Sequence, residues 1–468
     1  MKTLLIAMTL ILATARVEAQ CTDDFILIST TDFSTGSTSS LDPVNKTPTI
    51  DLEPVGSDAV VRTFGGLVYV VNRGGTGNIQ ILDPCDDFNT IDQWSTGNGS
   101  NPHDIVVLSP TVAYVSRYDM TSVLKMNPQT GATITTIDLS IFADADGLPE
   151  MDQMWETNNQ LFVALQRLDR NNFYTPVGTS YIAVIDLATD TLVDMNPGMG
   201  GVQPVTLVHT NPYSEVHFWT DTSIPGPAYV YFSAVGYFGV LDGGVLFDVA
   251  ESPTSQTVIL SEAEAGGDIL DVEILTDDKG FAIVATPSFV TELIAFNPTT
   301  RTKTATMYSP GGYDLNDCEP SPLGLLLTDR KPSNPGIRCF SMYTNVQYPG
   351  GPIDVGLPPF DILVSVDWPT PVGDSPRATA LGANYPNPFN PETSIPFSLA
   401  SAGRVSLKIY DVSGRLVATL IDENRDPGEH VARWDGRDAR GRASSSGVYF
   451  ARLEANGTTE TKKIALIK

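Results

Sequence analysis

One short pattern returns along most of this chain: an acidic residue that opens an apolar strand. It stands at Asp58-Ala-Val-Val, Asp104-Ile-Val-Val, Asp271-Val-Glu-Ile, Asp317-Cys-Glu and Asp361-Ile-Leu-Val, with Asp152 opening a more polar copy. Neighbouring copies are 44 to 48 residues apart. A further copy is expected near Gln203, and the 68 residues from there to Asp271 predict one unit with long insertions. Each opening leads to a turn, such as Phe64-Gly65-Gly66 or Asp277-Asp278-Lys279-Gly280, and then to a second apolar strand. A third strand ends at an Asx hairpin, as at Asp83-Pro84, Asn127-Pro128 and Asn297-Pro298, and a fourth β-rich stretch such as 132–139 completes the unit. Gly, Pro and Asx supply the turn geometry. Four short strands cannot bury their faces alone and must stack on the next copy, which is the pattern of a β-propeller blade.

The ends of the repeat region complement one another. Residues 25–30, 37–42 and 49–53 read as second, third and fourth strands lacking a first, and 361–366 as a first strand lacking the rest. Together they make a seventh blade beside six whole ones and remove two open sheet edges. This repeat resembles the seven-bladed YVTN and lactonase-like propeller superfamily. The resemblance implies an all-β propeller fold and says little about function.

Lys2, the apolar run 4–13 and Val17-Glu18-Ala19 form a secretory signal pattern, predicting cleavage after residue 19. No later segment approaches the roughly 20 apolar residues of a membrane helix. Residues 20–380 carry 14 basic and 44 acidic side chains, whereas 381–468 carry 12 and 10. The acidic field of the larger part argues against nucleic acid or anionic membrane as a partner and favours divalent cations or basic ligands. Four cysteines, Cys21, Cys85, Cys318 and Cys339, are too few for a disulfide framework and form no zinc or haem pattern. Cys318 and Cys339 fall on the first and third strands of one blade, about 9.5 Å apart and beyond disulfide reach; Cys21 and Cys85 are a candidate bridge.

In an antiparallel blade the start of the first strand and the end of the second share a face. Asp58, Asp104, Asp152, Asp271, Asp317 and Asp361 are therefore expected at one mouth of the channel with Arg73, Arg117, Arg167 and Arg330. They serve there either as ion pairs and caps that stitch blades together or as a polar recognition surface. Asp144, Asp146, Glu150 and Asp152 crowd one loop on the same face, a candidate Ca²⁺ site that departs from EF-hand spacing, or else a solvated acidic loop. Asp268/Asp271/Glu273 and Asp314/Asp317/Glu319 recur at blade spacing after Gly-Gly pairs, which marks them as architectural. Phe173 and Tyr174, flanked by Asn and Gly, suit recognition of sugars or peptides. Asn101-Pro102-His103-Asp104 resembles the Pro-His element of propeller lyases of the streptogramin lyase type. That resemblance implies an acid-base role for His103; a blade-linking hydrogen bond is the simpler reading.

Residues 369–380 form a Pro-rich linker, and 381–468 a separate module. There Val405, Leu407 and Ile409 alternate with Ser406, Lys408 and Tyr410, and further strands at 416–421, 430–434, 448–453 and 459–467 predict a small Ig-like β-sandwich with Trp434, Phe450 and Leu466 in its core. The run Tyr385-Pro386-Asn387-Pro388-Phe389-Asn390-Pro391, the segments 408–417, 428–438 and 446–457, and an ending that contains Lys462, Lys463 and Lys468 resemble FlgD-like Ig domains and the type A C-terminal sorting domain of type IX secretion. The resemblance implies export through the Sec translocon and then the outer-membrane secretion machinery, to the surface of a bacterium with an outer membrane. The expected function is a noncatalytic binding scaffold for an extracellular protein, peptide or glycan. The alternative is a metal-assisted propeller enzyme, a lactonase-like hydrolase or a lyase, acting outside the cell.

Overall fold

A computed structural model describes residues 25–219, 229–247, 256–365 and 380–467, the last without 382–383, 385–388, 390, 392, 400–402, 426–427 and 456. The signal segment, Cys21, residues 366–379 and the sorting positions Tyr385, Pro386, Asn387, Pro388, Asn390 and Lys468 lie outside the described residues.

The larger part is a succession of antiparallel sheets. Blade one is Ala59–Phe64, Leu67–Asn72, Asn78–Asp83 and Asn89–Ser95, and blade two is Pro102–Ser109, Val112–Arg117, Ser122–Met126 and Thr133–Asp138. Blade three begins with Met151–Thr157, blade four with His217–Trp219, blade five with Asp268–Thr276 and blade six with Leu315–Ser321. In blade seven Pro359–Ser365 pairs with Phe25–Thr31, which pairs with Gly36–Leu41; Ile28 faces Ile362 and Ile26 faces Val364. The last strand of the larger part thus supplies the first strand of a sheet whose other strands come from that part's beginning.

Two expectations need correction. The region around Gln203 opens no new blade: Val205–Thr206 pairs with Tyr181–Asp186 as an edge of blade three, and blade four starts only at His217. The misplaced start follows from the sequence there, where Glu215 stands in place of the recurrent Asp and His-Phe-Trp in place of an apolar run. Blade six has three strands, extended by isolated bridges Phe340–Gln347 and Ile337–Ile353 in place of a fourth.

Apolar side chains fill each junction. Tyr69 and Ile79 of blade one pack with Ala113 and Leu124 of blade two, and Tyr114 of blade two with Leu161 of blade three. Phe162 of blade three meets Phe232 of blade four, and Val245 of blade four meets Ala282 of blade five. Phe281 of blade five packs with Leu325 and Phe340 of blade six. Leu326 of blade six packs with Ile26 and Ile28 of blade seven, whose Leu27 in turn meets Val61 and Val68 of blade one. Each sheet therefore buries both faces, which is why its strands read as near-continuous apolar runs.

Polar links repeat beside this packing. The Oδ2 of Asp104 accepts the N–H of Met154 at 2.8 Å, Asp271 that of Cys318 at 2.9 Å, Asp317 that of Ile362 at 2.6 Å and Asp361 that of Val61 at 2.7 Å. Each carboxylate reaches from the first strand of one blade to the first strand of the next. Cys318 and Cys339 are buried and unbridged, on strands separated by Gly324–Asp329.

The terminal module is a sandwich of two sheets, one ordered Ala380–Leu381, Thr393–Leu399, Gly428–Trp434 and the other Leu416–Arg425, Gly403–Asp411, Gly447–Ala455, Thr458–Leu466. Val405, Leu407, Ile409, Trp434 and Leu466 are core, as the alternation predicts. Phe450 is not: the strand's parity turns Tyr449, Ala451 and Leu453 inward and leaves Phe450 only partly buried. Phe389 is buried against Trp434, with its N–H donated to the Ala465 carbonyl and its own carbonyl accepting from Ile467. Lys462 and Lys463 are exposed on the final strand. Among the described residues no helix is long and apolar enough to cross a membrane.

Phe340 is fully buried at the junction of blades five and six. Phe340→Ala is expected to cost about 3–5 kcal/mol, read as a lower urea midpoint by tryptophan fluorescence.

Candidate functional site

The first strands of the blades face a shared central space, and their alternation sorts inward side chains into tiers. At one end lies a cavity of about 470 Å³ lined by Asp152, Glu215, Asp271, Asp317 and Asp361 together with Arg73, His103, Gln153, Gln166, Asn211 and Asn316. Aromatic residues surround its mouth: Phe173, Tyr174, Tyr213, Phe238, Tyr313 and Phe360. Phe173 is 94% exposed, held at the end of a short 3-10 turn that Asp169 caps. Both Phe173 and Tyr174 adopt left-handed backbone, with φ of 57° and 56°, which costs free energy in a non-glycine residue and turns both rings toward the mouth. Tyr213 and Phe238 meet edge to face at 5.3 Å.

Two residues further along the strands, about 6.6–6.8 Å deeper, is a second ionisable tier: Arg62, His217, Glu273 and Glu319. Arg62 spans the channel, with Nε 2.9 Å from Asp104 of blade two, Nη1 2.8 Å from Glu215 of blade four and Nη2 3.1 Å from Gln153 of blade three. Burial disfavours its charge, but Asp104, Glu215 and Asp361 outweigh that and keep it cationic. His217 Nδ1 lies 2.9 Å from Glu273. Burial works against the charge of His217, yet Glu273, Asp271 and Glu215 push its pKa up to about 9.

Not every sequence candidate reaches this site. Of the four arginines, only Arg73 lines the cavity, paired with Asp58 at 2.6 Å over the Phe360 ring; Asp58 itself does not line it. Arg330 stacks behind the rim on Phe33 and Phe360. Arg117 is turned to the Ser122 and Thr96 carbonyls between blades one and two, and Arg167 bonds the Thr179 carbonyl over Tyr181. Neither lines the cavity or forms an ion pair among the described residues; Arg117 is held by nearby carbonyl oxygens, whereas Nε of Arg167 is buried without a hydrogen-bond partner. Asp152 also departs from the proposed metal loop: it accepts from Gln166 at 2.7 Å and contacts His103 Nδ1 at 2.9 Å, so His103 joins blade two to blade three while stacking on Tyr118. Asp144, Asp146 and Glu150 do converge within 4.8 Å, and Arg170 lies 3.0 Å from Glu150 and 3.9 Å from Asp146. Those carboxylates thus meet a cation supplied by the chain.

Residues 389–459 match the FlgD Ig-like domain. No curated protein matches the chain. Among solved structures the chain is similar to PorZ of Porphyromonas gingivalis, described as an essential bacterial surface component of the type-IX secretion system, at 14% identity and a TM-score of 0.49, over 92% of this chain and 63% of PorZ. The chain therefore matches less than two thirds of PorZ's length. It is also similar to a putative 6-phosphogluconolactonase of Bacteroides fragilis, at 13% identity and TM-score 0.49 over 74% of this chain and 98% of that one. The periplasmic gluconolactonase PpgL of Pseudomonas aeruginosa gives 13% identity and TM-score 0.49 over 73% and 99%. The fold is a β-propeller followed by a small β-sandwich, within which residues 389–459 match the FlgD Ig-like domain.

Burial pushes Asp271 up to about 6, against the pull of His217. Burial and neighbouring carboxylates push Asp317 and Asp361 well above their ordinary range. Glu215 is the exception, held low because Arg62 and His217 outweigh its burial. The raised acids hold protons in the folded state that the unfolded chain releases near pH 4, so their contribution is full at low pH and is lost as pH rises; His217 adds a loss of the same sign toward pH 9. In chelator-treated protein the urea midpoint is expected to fall from pH 5 to pH 9, with Asp271 alone worth on the order of 1 kcal/mol over that range. A midpoint that rises with pH over this range contradicts the assignment.

Proposed function

We propose that this protein is a noncatalytic extracellular scaffold that holds a glycan at the aromatic mouth of its propeller. The supporting observation is the rim of exposed rings over a deep polar cavity. Sugar rings present C–H faces that stack on aromatic side chains, and hydroxyls that donate to carboxylates and amides. Phe173, Tyr174, Tyr213 and Phe238 supply the first kind of surface, and Asp152, Asp271, Asp317, Gln153 and Asn316 the second. Packed strands hold the cavity floor while loops carry the rim, so ligand preference can change without disturbing the core.

The signal pattern and the terminal module support export by Sec followed by type IX secretion, with residues 381–468 as the sorting element. Lys462 is exposed on the last strand, where a secretion partner could reach it.

Mature full-length protein on a glycan array is expected to retain a restricted set of oligosaccharides, and Tyr213→Ala or Phe238→Ala to weaken that binding at least tenfold with an unchanged melting temperature. Unaltered affinity in both variants would sink the assignment of the mouth. Removal of residues 381–468 is expected to leave a folded propeller in the periplasm, scored by surface antibody labelling; display of the truncated form refutes the sorting role.

A further inference from the structure

Beneath the cavity, three blades converge on one point. His217 of blade four, Glu273 of blade five and Glu319 of blade six each offer a ligand atom, and these atoms lie within 4.8 Å of one another. Asp271 Oδ1 lies 4.0 Å from His217 Nε2. We propose that His217, Glu273 and Glu319 form a binding site for one divalent transition-metal ion of the zinc or manganese class, a site distinct from the glycan-binding mouth above it.

Three observations carry the inference. Glu273 is 5% exposed, with its Oε1 2.9 Å from His217 Nδ1 but outside hydrogen-bond geometry, and Nε2 of His217 has no hydrogen-bond partner among the described residues, Asp271 Oδ1 being 4.0 Å away. Buried polar atoms are nearly always satisfied, so the buried imidazole nitrogen left over marks a missing partner. Charge argues the same way. Asp104, Glu215, Asp271, Glu273, Asp317, Glu319 and Asp361 line the interior, while Arg62 is engaged by Asp104 and Glu215 and Arg73 by Asp58. Apart from His217, no basic side chain of the described residues forms an ion pair with Glu273 or Glu319. Buried carboxylates in such excess are costly unless a cation joins them. The loop formed by Asp144, Asp146 and Glu150 is the internal contrast, since Arg170 already stands there.

Third, the surrounding groups fix the ligands. Tyr231 stacks on the His217 ring at 5.3 Å, donates to Glu273 Oε2 at 3.4 Å, and is itself held by the N–H of Ile274. The N–H of Cys318 fixes Asp271. Such outer contacts orient metal ligands. One imidazole with two carboxylates suits zinc or manganese, whereas calcium seeks six to eight oxygens.

The test uses mature full-length protein stripped with chelator and titrated with Mn²⁺ or Zn²⁺, with bound metal counted by mass spectrometry and melting followed by scanning fluorimetry. One equivalent per chain and a raised melting temperature are expected. Glu319→Gln and His217→Gln should each weaken binding at least tenfold, while Asp146→Asn leaves it unchanged. No retained metal, or loss of binding in Asp146→Asn and not in Glu319→Gln, overturns the proposal. Should the channel variants fail to fold, anomalous diffraction from manganese-soaked wild-type crystals decides: a peak about 2.0–2.2 Å from His217 and the two glutamates supports the site, and a map without it overturns it. Glycan binding is measured separately in chelated protein, so the two readings stand or fall independently.

Discussion

A single hydrogen bond, repeated, organises the larger domain. The carboxylate at the head of a first strand accepts an N–H from the first strand of the following blade, in the pairs Asp104–Met154, Asp271–Cys318, Asp317–Ile362 and Asp361–Val61. First strands in a propeller are not laddered to one another, so their inward N–H groups would go unpaired without such an acceptor. The same requirement brings acids together at the centre. The negative channel is thus a by-product of joining blades, which the chain then uses: Arg62 of blade one reaches blades two, three and four, and His217 with two glutamates shares its tier.

Packing and polar links divide the work. Apolar junctions such as Phe162 with Phe232 or Phe281 with Phe340 provide most of the burial, and are tolerant of direction. The carboxylate links fix how far each wedge is rotated about the centre, because an acceptor within 3 Å of one particular N–H allows a single register. Loops above the sheets bear no such constraint, and the strained Phe173 and Tyr174 occur there.

The repeat was legible because its parts are local: an acid, an apolar strand, a Gly-rich turn and an Asx hairpin recur at a fixed period. The composite seventh sheet was legible from incompleteness at both ends. Blade four was not, because insertions hide its start and Glu215 replaces the expected Asp. A finer signal was present in Glu215-x-His217, Asp271-x-Glu273 and Asp317-x-Glu319, where the same two-residue step places two ionisable groups on one inward face. Arg62 is hard to read for a related reason: a lone cation in Ala59–Phe64 looks outward-facing until its parity with Val60 is counted. The arginines closing second strands share a sequence position but not a fate, since the nearest acceptor, not the position, decides where a long side chain points. Phe450 shows the limit of hydrophobicity without parity, for its neighbour Tyr449 is the buried one.

The pairing of Phe25–Thr31 with Pro359–Ser365 also sets a timetable. A chain emerging amino end first, from a ribosome or a translocation pore, presents those early strands long before their partner appears. Contacts of such sequence separation form late and slowly. Until residue 365 has cleared, the nascent domain keeps one sheet without its first strand, which favours threading over premature compaction and makes the final segment of the domain the latch that commits it to the finished disk.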